Sequence, residues 1–274
     1  MSHVLPAQSA AASSGRGWHL PPALLGLIGL VGFAALLELV PRLGLVSTRY
    51  LPPASRIAAA LIEQAGRPQF WQACMDTLRT WALGLAIAVV GGVVAGVVIG
   101  SLPVLRAITA STIEFLRPIP SVALIPLVVV LYGVGITSTV VLVVYASFWQ
   151  VLVQVLHGVA DVDPVARDTA RSYRLGRLRQ VAHLVWPTAL PYVVTGIRLA
   201  ASVALVLAIT GELVIGSPGL GSAIAAAQSG NAVPQMYALV VVTGVIGVAA
   251  NGLTRAVERR VLAWHPAVRR EEST

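Results

Sequence analysis

Apolar positions in this chain run together for too long to belong to a soluble fold. Residues 82–100 (ALGLAIAVVGGVVAGVVIG) carry no charge, and glycine is their only departure from apolar character. A helix of about 20 apolar residues matches the ~30 Å hydrocarbon core of a bilayer. Such runs predict six membrane-spanning helices, at about 20–40, 78–101, 117–134, 138–156, 189–214 and 236–256. The first is closed by Pro41. It is similar to a signal sequence, but no small-x-small cleavage site follows it, so an uncleaved anchor is expected. The third is interrupted by Pro118, Pro120 and Pro126. The fold class is all-α integral membrane protein.

The segments between the spans complete the domain organisation. Residues 1–17, Ser/Ala-rich and polar, are expected to form a disordered cytoplasmic N-terminus, and 18–41 the N-terminal anchor. Residues 42–76 form an external segment containing a short amphipathic helix over 53–65 (PASRIAAALIEQA), with Ile57 and Leu61 on one side. The core covers 77–258, with a charged loop at 157–187, and 259–274 is a cytoplasmic tail.

Composition then removes whole classes of function. Hydrophobic residues make up 57% and charged residues 11%, where a soluble domain devotes about a quarter to charge. The net charge of +8 comes from arginine alone, because the chain has no lysine. A P-loop needs a lysine on the β/γ-phosphates, so this chain does not hydrolyse ATP and no enzymatic activity is expected of it. The basic balance reflects loop placement rather than nucleic-acid binding. If 157–187 is cytoplasmic, about 14 of the 19 arginines lie inside, while Arg42, Arg49, Arg56, Arg67 and Arg79 lie outside. Both termini are then cytoplasmic. His3, His19, His157, His183 and His265 show no metal-ligand spacing, and no G-x-S-x-G nucleophile motif occurs. No catalytic residue and no metal site are expected. Cys74, the single cysteine, excludes an internal disulfide and reads as an inert thiol. A secondary transporter would show internal repeats and mid-span carboxylates, and neither is found.

Three sets of residues stand out. Ala88, Gly92, Gly96 and Gly100 recur every four positions and so share one helix face, where backbones can approach closely. That face serves packing within the subunit, a dimer seam or a pore lining. Ser147, Gln150 and Gln154 form a polar face on the fourth span, suited to interhelical hydrogen bonds or to a translocation path. Glu212, in ITGELVIGSPGLGS, is either a gating or path residue or a structural partner for backbone amides. In the loop, Asp163-Pro164 marks a helix start. A helix to about Arg174, a turn at Gly176 and a second short helix ending before Pro187 would make a surface hairpin, which either meets a soluble partner or is simply solvated.

Residues 160–187 (ADVDPVARDTARSYRLGRLRQVAHLVWP) resemble the cytoplasmic EAA loop of permeases of binding-protein-dependent ABC importers. That pattern is EAA, three residues, glycine, and a proline thirteen residues later. Anchored on Pro187, Asp168, Thr169 and Ala170 fall on EAA, and Arg171-Ser172-Tyr173 is similar to the usual Arg-Thr-Leu or Arg-Ser-Leu. The family glycine falls on Arg174, with Gly176 two positions on. Either the turn has moved to Gly176, or Arg174 adopts the glycine's conformation. DTLRTWALGLAIAVVGGVVAGVVIG (76–100), RPIPSVALIPLVVVLYGVG (117–135), PTALPYVVTGIRLA (187–200) and GELVIGSPGLGSAI (211–224) resemble the core spans and the external segment of the same family.

The resemblance implies a MetI-like permease core of five helices plus an N-terminal span, in a bacterial inner (plasma) membrane. It is closest to the sulfonate, taurine, nitrate and bicarbonate subfamily, with permeases for thiamine-precursor pyrimidines as the alternative. The implied function is a path for a small anionic or polar solute, worked by alternating access. The implied partners are ABC ATPase subunits, an external solute-binding protein, a second copy of the permease and the lipid bilayer. ATP and Mg would sit on the partner, leaving no cofactor on this chain. Asp168, Thr169, Ala170, Arg171, Arg174, Gly176 and Pro187 become the ATPase-coupling residues. A pure membrane anchor would have spans but no need of this loop.

Overall fold

The computed structural model describes residues 22–263. The expectations for 1–17, His3, His19 and His265, and those for the tail beyond 263, lie outside the described residues. Every regular element among the described residues is helical. The chain divides into two compact units, 1–54 and 55–274.

The first unit holds α1 (Pro22–Arg42), which continues through Pro41 instead of ending before it. In the last turn a missing N–H removes only one terminal bond, and Arg42 pairs with Glu38 one turn back. Leu25, Leu30, Val31 and Phe33 point outward along it. A helix satisfies its own backbone, so such a surface suits hydrocarbon as solvent.

The second unit opens within α2 (Ala54–Ala65), the stretch where a short amphipathic helix was expected, whose Ile57 and Ala60 pack on Ala238. Helix α3 runs from Pro68 to Ser101, so it begins at 68 rather than 78. Phe70, Cys74, Thr77 and Thr80 are buried along the face that continues as Gly84, Ala88, Gly92 and Gly96. The polar residues between them decorate the opposite side of one helix about 51 Å long. That length carries it beyond the hydrocarbon.

The third expected span, 117–134, is corrected more deeply. α4 (Pro103–Leu116) is followed by a 3₁₀ turn at Ser121–Leu124 and by α5 (Ile125–Tyr132), and the pair is bent by 84°. Pro118 and Pro120 stand in the break, where each disfavours helix before it and removes a donor. α6 follows at Ile136–Ala160. Next come α7 (Pro164–Ser172) and α8 (Arg177–Gln180), then a π-helical turn at Val181–Val185 that leads into α9 (Trp186–Ile215). The second arm of the hairpin therefore does not end before Pro187; it is continuous with the fifth span. Pro187 sits in the first turn of α9, and the π turn before it absorbs the mismatch. α10 (Leu220–Ser229) and α11 (Val233–Val261) complete the fold. Among the described residues five helices are long and apolar enough to cross a membrane, or six if the bent pair counts as one.

The core is built around α6. On one side the stripe on α3 meets valines in constant register. A Cβ on Gly84 would lie 2.5 Å from Val143, on Gly92 2.8 Å from Val151, on Gly96 2.6 Å from Val155, and on Gly100 2.9 Å from Val159. Both helices advance four residues per contact, so they run parallel, and the register sets fully buried Ala88 opposite Ser147. On the other side α9 runs antiparallel. Gly158 lies against Ala189, Gly196 against Val151, and Gly211 against Thr139. Hydrocarbon gives helices no hydrophobic reason to associate, so close van der Waals contact through small residues supplies the attraction.

Gly96→Leu should break the α3–α6 seam, because even a methyl would meet Val155 at 2.6 Å. A loss of about 1–3 kcal/mol is expected from overpacking. Thermal unfolding of the detergent-purified chain checks this, with Gly252→Ala as the neutral comparison since nothing lies within 4 Å of that position.

Candidate functional site

Two places in the second unit gather charged and polar groups around backbone that departs from plain helix. The first is the hairpin after α6. Asp163 caps α7, its Oδ1 accepting from the Val165 amide at 2.8 Å, with Pro164 in the first turn. At the other end the Arg174 amide donates to the Arg171 carbonyl at 2.8 Å and the Leu175 amide to the Ala170 carbonyl at 3.0 Å. These paired bonds make a Schellman C-cap, whose turning residue must be left-handed and is usually glycine. Arg174 occupies that position with φ 52°. Gly176 has φ −61° and ψ 153°, extended backbone open to any residue. The turn has therefore not moved to Gly176; Arg174 adopts the glycine's conformation.

The hairpin is fixed to the core from three directions. The Arg167 guanidinium donates to the Val159 carbonyl at the end of α6 (3.2 Å). The Tyr192 hydroxyl on α9 donates to Asp161 (2.9 Å). Val162 is buried with Val159, Val185 and Ala189. Of the predicted loop residues, Ala170 is buried, while Asp168, Thr169, Arg171, Arg174, Gly176 and Pro187 are exposed. Asp168 and Arg171 form a solvated ion pair at 3.1 Å. Val165, Tyr173 and Leu178 project apolar side chains from the same surface. The result is a hairpin anchored to the core that carries a basic and partly apolar exposed tip.

The second place is the far end of α9. Glu212 is fully buried. Its Oε2 accepts from the Thr77 hydroxyl at 2.8 Å and from the Gly221 amide at 3.0 Å, while Oε1 has no partner among the described residues. Thr77 in turn accepts from the Leu220 amide at 2.8 Å. One carboxylate and one hydroxyl thus tie α3 and α9 to the first turn of α10, where unpaired amides and the helix dipole favour an anion. Gly219 makes this possible. Its φ is +151°, and a Cβ there would lie 2.2 Å from the Glu212 carboxyl carbon. Ser217 and Thr139 add a hydroxyl pair at 2.7 Å, joining this loop to α6.

Sequence reasoning named Glu212 but missed Thr77, Thr139 and Ser217, and it missed Gly219 as the close-approach position. The glycine spacing in GSPGLGS carried a signal of close packing, whereas Thr77, 135 residues from its partner, carried none. The polar face of α6 divides. Ser147 is fully buried and donates to the Ala200 carbonyl at 3.4 Å, inside the α6–α9 seam. Gln150 and Gln154 are half-buried, and Gln154 lies across Gly196. The structure places Glu212 and the residues expected to couple to an ATPase at opposite ends of α9, and Cys74 is buried beside Phe70, Leu220 and Ile224.

Helices long and apolar enough to span a membrane, with a charged hairpin at the surface, define a polytopic membrane protein. The chain belongs to the family described as binding-protein-dependent transport system inner membrane component, whose model matches residues 87–263. It is 30% identical to the taurine transport system permease protein TauC of Escherichia coli, over 92% of this chain and 94% of that one. It is 25% identical to a putative aliphatic sulfonates transport permease protein, SsuC of the same organism, over 94% of each. To the bicarbonate transport system permease protein CmpB of Synechococcus elongatus it is 26% identical, over 87% and 89%. The fold matches the MetNI methionine ABC transporter in inward-facing form (TM-score 0.60, 18% identity), covering 70% of this chain and 96% of that one. This chain is accordingly a multi-pass inner-membrane permease of an ABC importer, and ATP hydrolysis resides in a partner subunit.

Arg174→Gly should keep the hairpin and match or exceed the parent's resistance to proteolysis there. Arg174→Val should lose about 1 kcal/mol or more of local stability, since a β-branched residue suits the left-handed region least. Limited proteolysis of the purified chain distinguishes them. At the other site Glu212→Ala should cost about 2–4 kcal/mol by stranding the Thr77 hydroxyl and the Gly221 amide, and Gly219→Ala should be at least as damaging. Glu212→Gln should lose the least of the three, because an amide oxygen still accepts. Unfolding temperatures in detergent check the order.

Proposed function

We propose that this permease imports a small anionic or polar solute of the sulfonate or taurine type, by alternating access, as a pair of identical copies. The relationship to TauC across almost the whole of both chains supports the solute class, and the other relatives are named for transport of aliphatic sulfonates and of bicarbonate. Both termini and the hairpin face the cytoplasm, as the arginine distribution favours.

In this reading the hairpin at 164–180 is the coupling element, with Asp168, Thr169, Ala170, Arg171, Arg174, Gly176 and Pro187 shaping its docking surface. The observation that carries it is continuity: α8, the π turn and α9 form one helical body from Arg177 to Ile215. A push that reaches α8 moves the fifth span with it, because the two are one continuous helical stretch. Arg167 and Tyr192 pass the same push to α6. At the outer end, the Glu212 cluster makes α10 move with α9 and α3. Ser147 and Glu212 act as packing and positioning residues, and the half-buried Gln150 and Gln154 are the path candidates.

Arg171→Glu combined with deletion of Gly176 should abolish binding-protein-dependent uptake of radiolabelled taurine in proteoliposomes while leaving membrane insertion intact. The ATPase should co-purify with the parent chain and drop by more than tenfold with the variant. Undiminished uptake would remove the coupling assignment. Coupled uptake of bicarbonate but not taurine would change the solute alone.

A further inference from the structure

A cleft of about 540 Å³ lies where the cytoplasmic end of α3 meets the hairpin. Three arginines, Arg167, Arg171 and Arg177, line it, and opposite them Val97, Val98 and Leu102 form an apolar wall. Arg171 is offset by Asp168 at 3.1 Å, and Arg167 spends one N–H on the Val159 carbonyl. Arg177 has no side-chain partner among the described residues. Two uncompensated guanidinium charges therefore remain in a cleft whose α3 side is mostly apolar, Val97, Val98 and Leu102 with Gly100 and Ser101 among them.

We propose that this cleft holds the phosphate of an anionic phospholipid of the leaflet on the hairpin side, with its glycerol and upper acyl chain against Val97, Val98 and Leu102. A basic cleft between helices at the membrane margin has the chemistry for such a headgroup. The position decides for a lipid over a free anion. The apolar run of α3 ends at Ser101, and the hairpin's basic charge begins directly beside it. A phosphate at this depth arrives attached to hydrocarbon, and the wall accommodates hydrocarbon. A soluble anion would use the arginines but leave the valines wetted. Bound there, the lipid bridges α3 and the hairpin, so the anionic lipid content of the membrane biases how freely the hairpin moves against the core. The inference rests on the proposed sidedness only in calling this end of α3 cytoplasmic.

The test is lipid retention by the full chain in mild detergent, read by native mass spectrometry with phosphatidylglycerol and phosphatidylcholine of identical acyl chains. It does not depend on sidedness, coupling or solute. The parent chain should retain phosphatidylglycerol in clear preference, and each of Arg167→Ala and Arg177→Ala should lower that retention about fivefold. Arg177→Lys should keep most of it, and Arg79→Ala, on the other end of α3, should change nothing. Because Arg177 is exposed, its variants are expected to fold, and an unchanged unfolding temperature verifies this. Equal retention of the two lipids would overturn the proposal, as would retention unaffected by Arg177→Ala. So would displacement of the lipid by excess inorganic phosphate, which would mark the cleft as a soluble-anion site.

Discussion

The contact on which the second unit depends is the close approach of α3 and α9 to the two sides of α6. A membrane helix gains nothing by leaving lipid for another helix unless the surfaces fit better than lipid does. Here the fit comes from glycine on α3 meeting valine on α6, repeated at four-residue intervals, with no room for a further methyl at four of those positions. The stiff, β-branched valines present a fixed surface with few rotamers to lose. With α3 and α9 locked onto it, α6 becomes the frame against which everything at either membrane face is positioned.

That frame gives the two ends of α9 their meaning. At one end the hairpin is a prolongation of the helix, carried through Pro187 by a π turn, and held to α6 by Arg167 and Tyr192. At the other, Glu212 and Thr77 use their oxygens and the first amides of α10 to fasten a short helix to α3 and α9. One continuous helical stretch, Arg177–Ile215, therefore links the hairpin to the end of the bundle that holds α10, the mechanical property that the proposed coupling role requires. By contrast, α11 is buried at little more than Ala238 and Leu239, and the bent α4–α5 pair leaves much of its surface open. These are the parts with the least internal restraint.

The small-residue stripe was legible because a four-residue repeat of glycine has few other uses in an apolar helix. So was the hairpin, from its charge and from Asp163-Pro164. The broken third span was visible as three prolines, but its 84° bend was not, since proline fixes where a helix stops and leaves the direction of the next to packing. The start of α3 was misplaced because Gln69, Gln72 and Asp76 look like loop until Phe70, Cys74 and Thr77 are seen to be buried on one face. Pro187 was taken for an end because the slack that a π turn provides has no marker in the sequence. Arg174 in the left-handed position was one of two open solutions, and hydrogen bonds from its neighbours decided between them.

The sequence by itself determined what bilayer thickness and charge placement can determine. Those are the number of apolar runs, the absence of lysine and with it of a P-loop, and the one charged loop between the fourth and fifth spans. Each depends on residues close together in the chain. The tertiary structure alone decided which stripe meets which valines, that the hairpin and α9 are one rigid body, and that Glu212 serves Thr77 and Gly221 from the buried end of a helix. The stripe and its valines, and Glu212 and Thr77, lie scores of residues apart in the chain. Side-chain type gives a helix an adhesive face and a polar residue a need for partners, but which partner answers is settled only when the helices are in register.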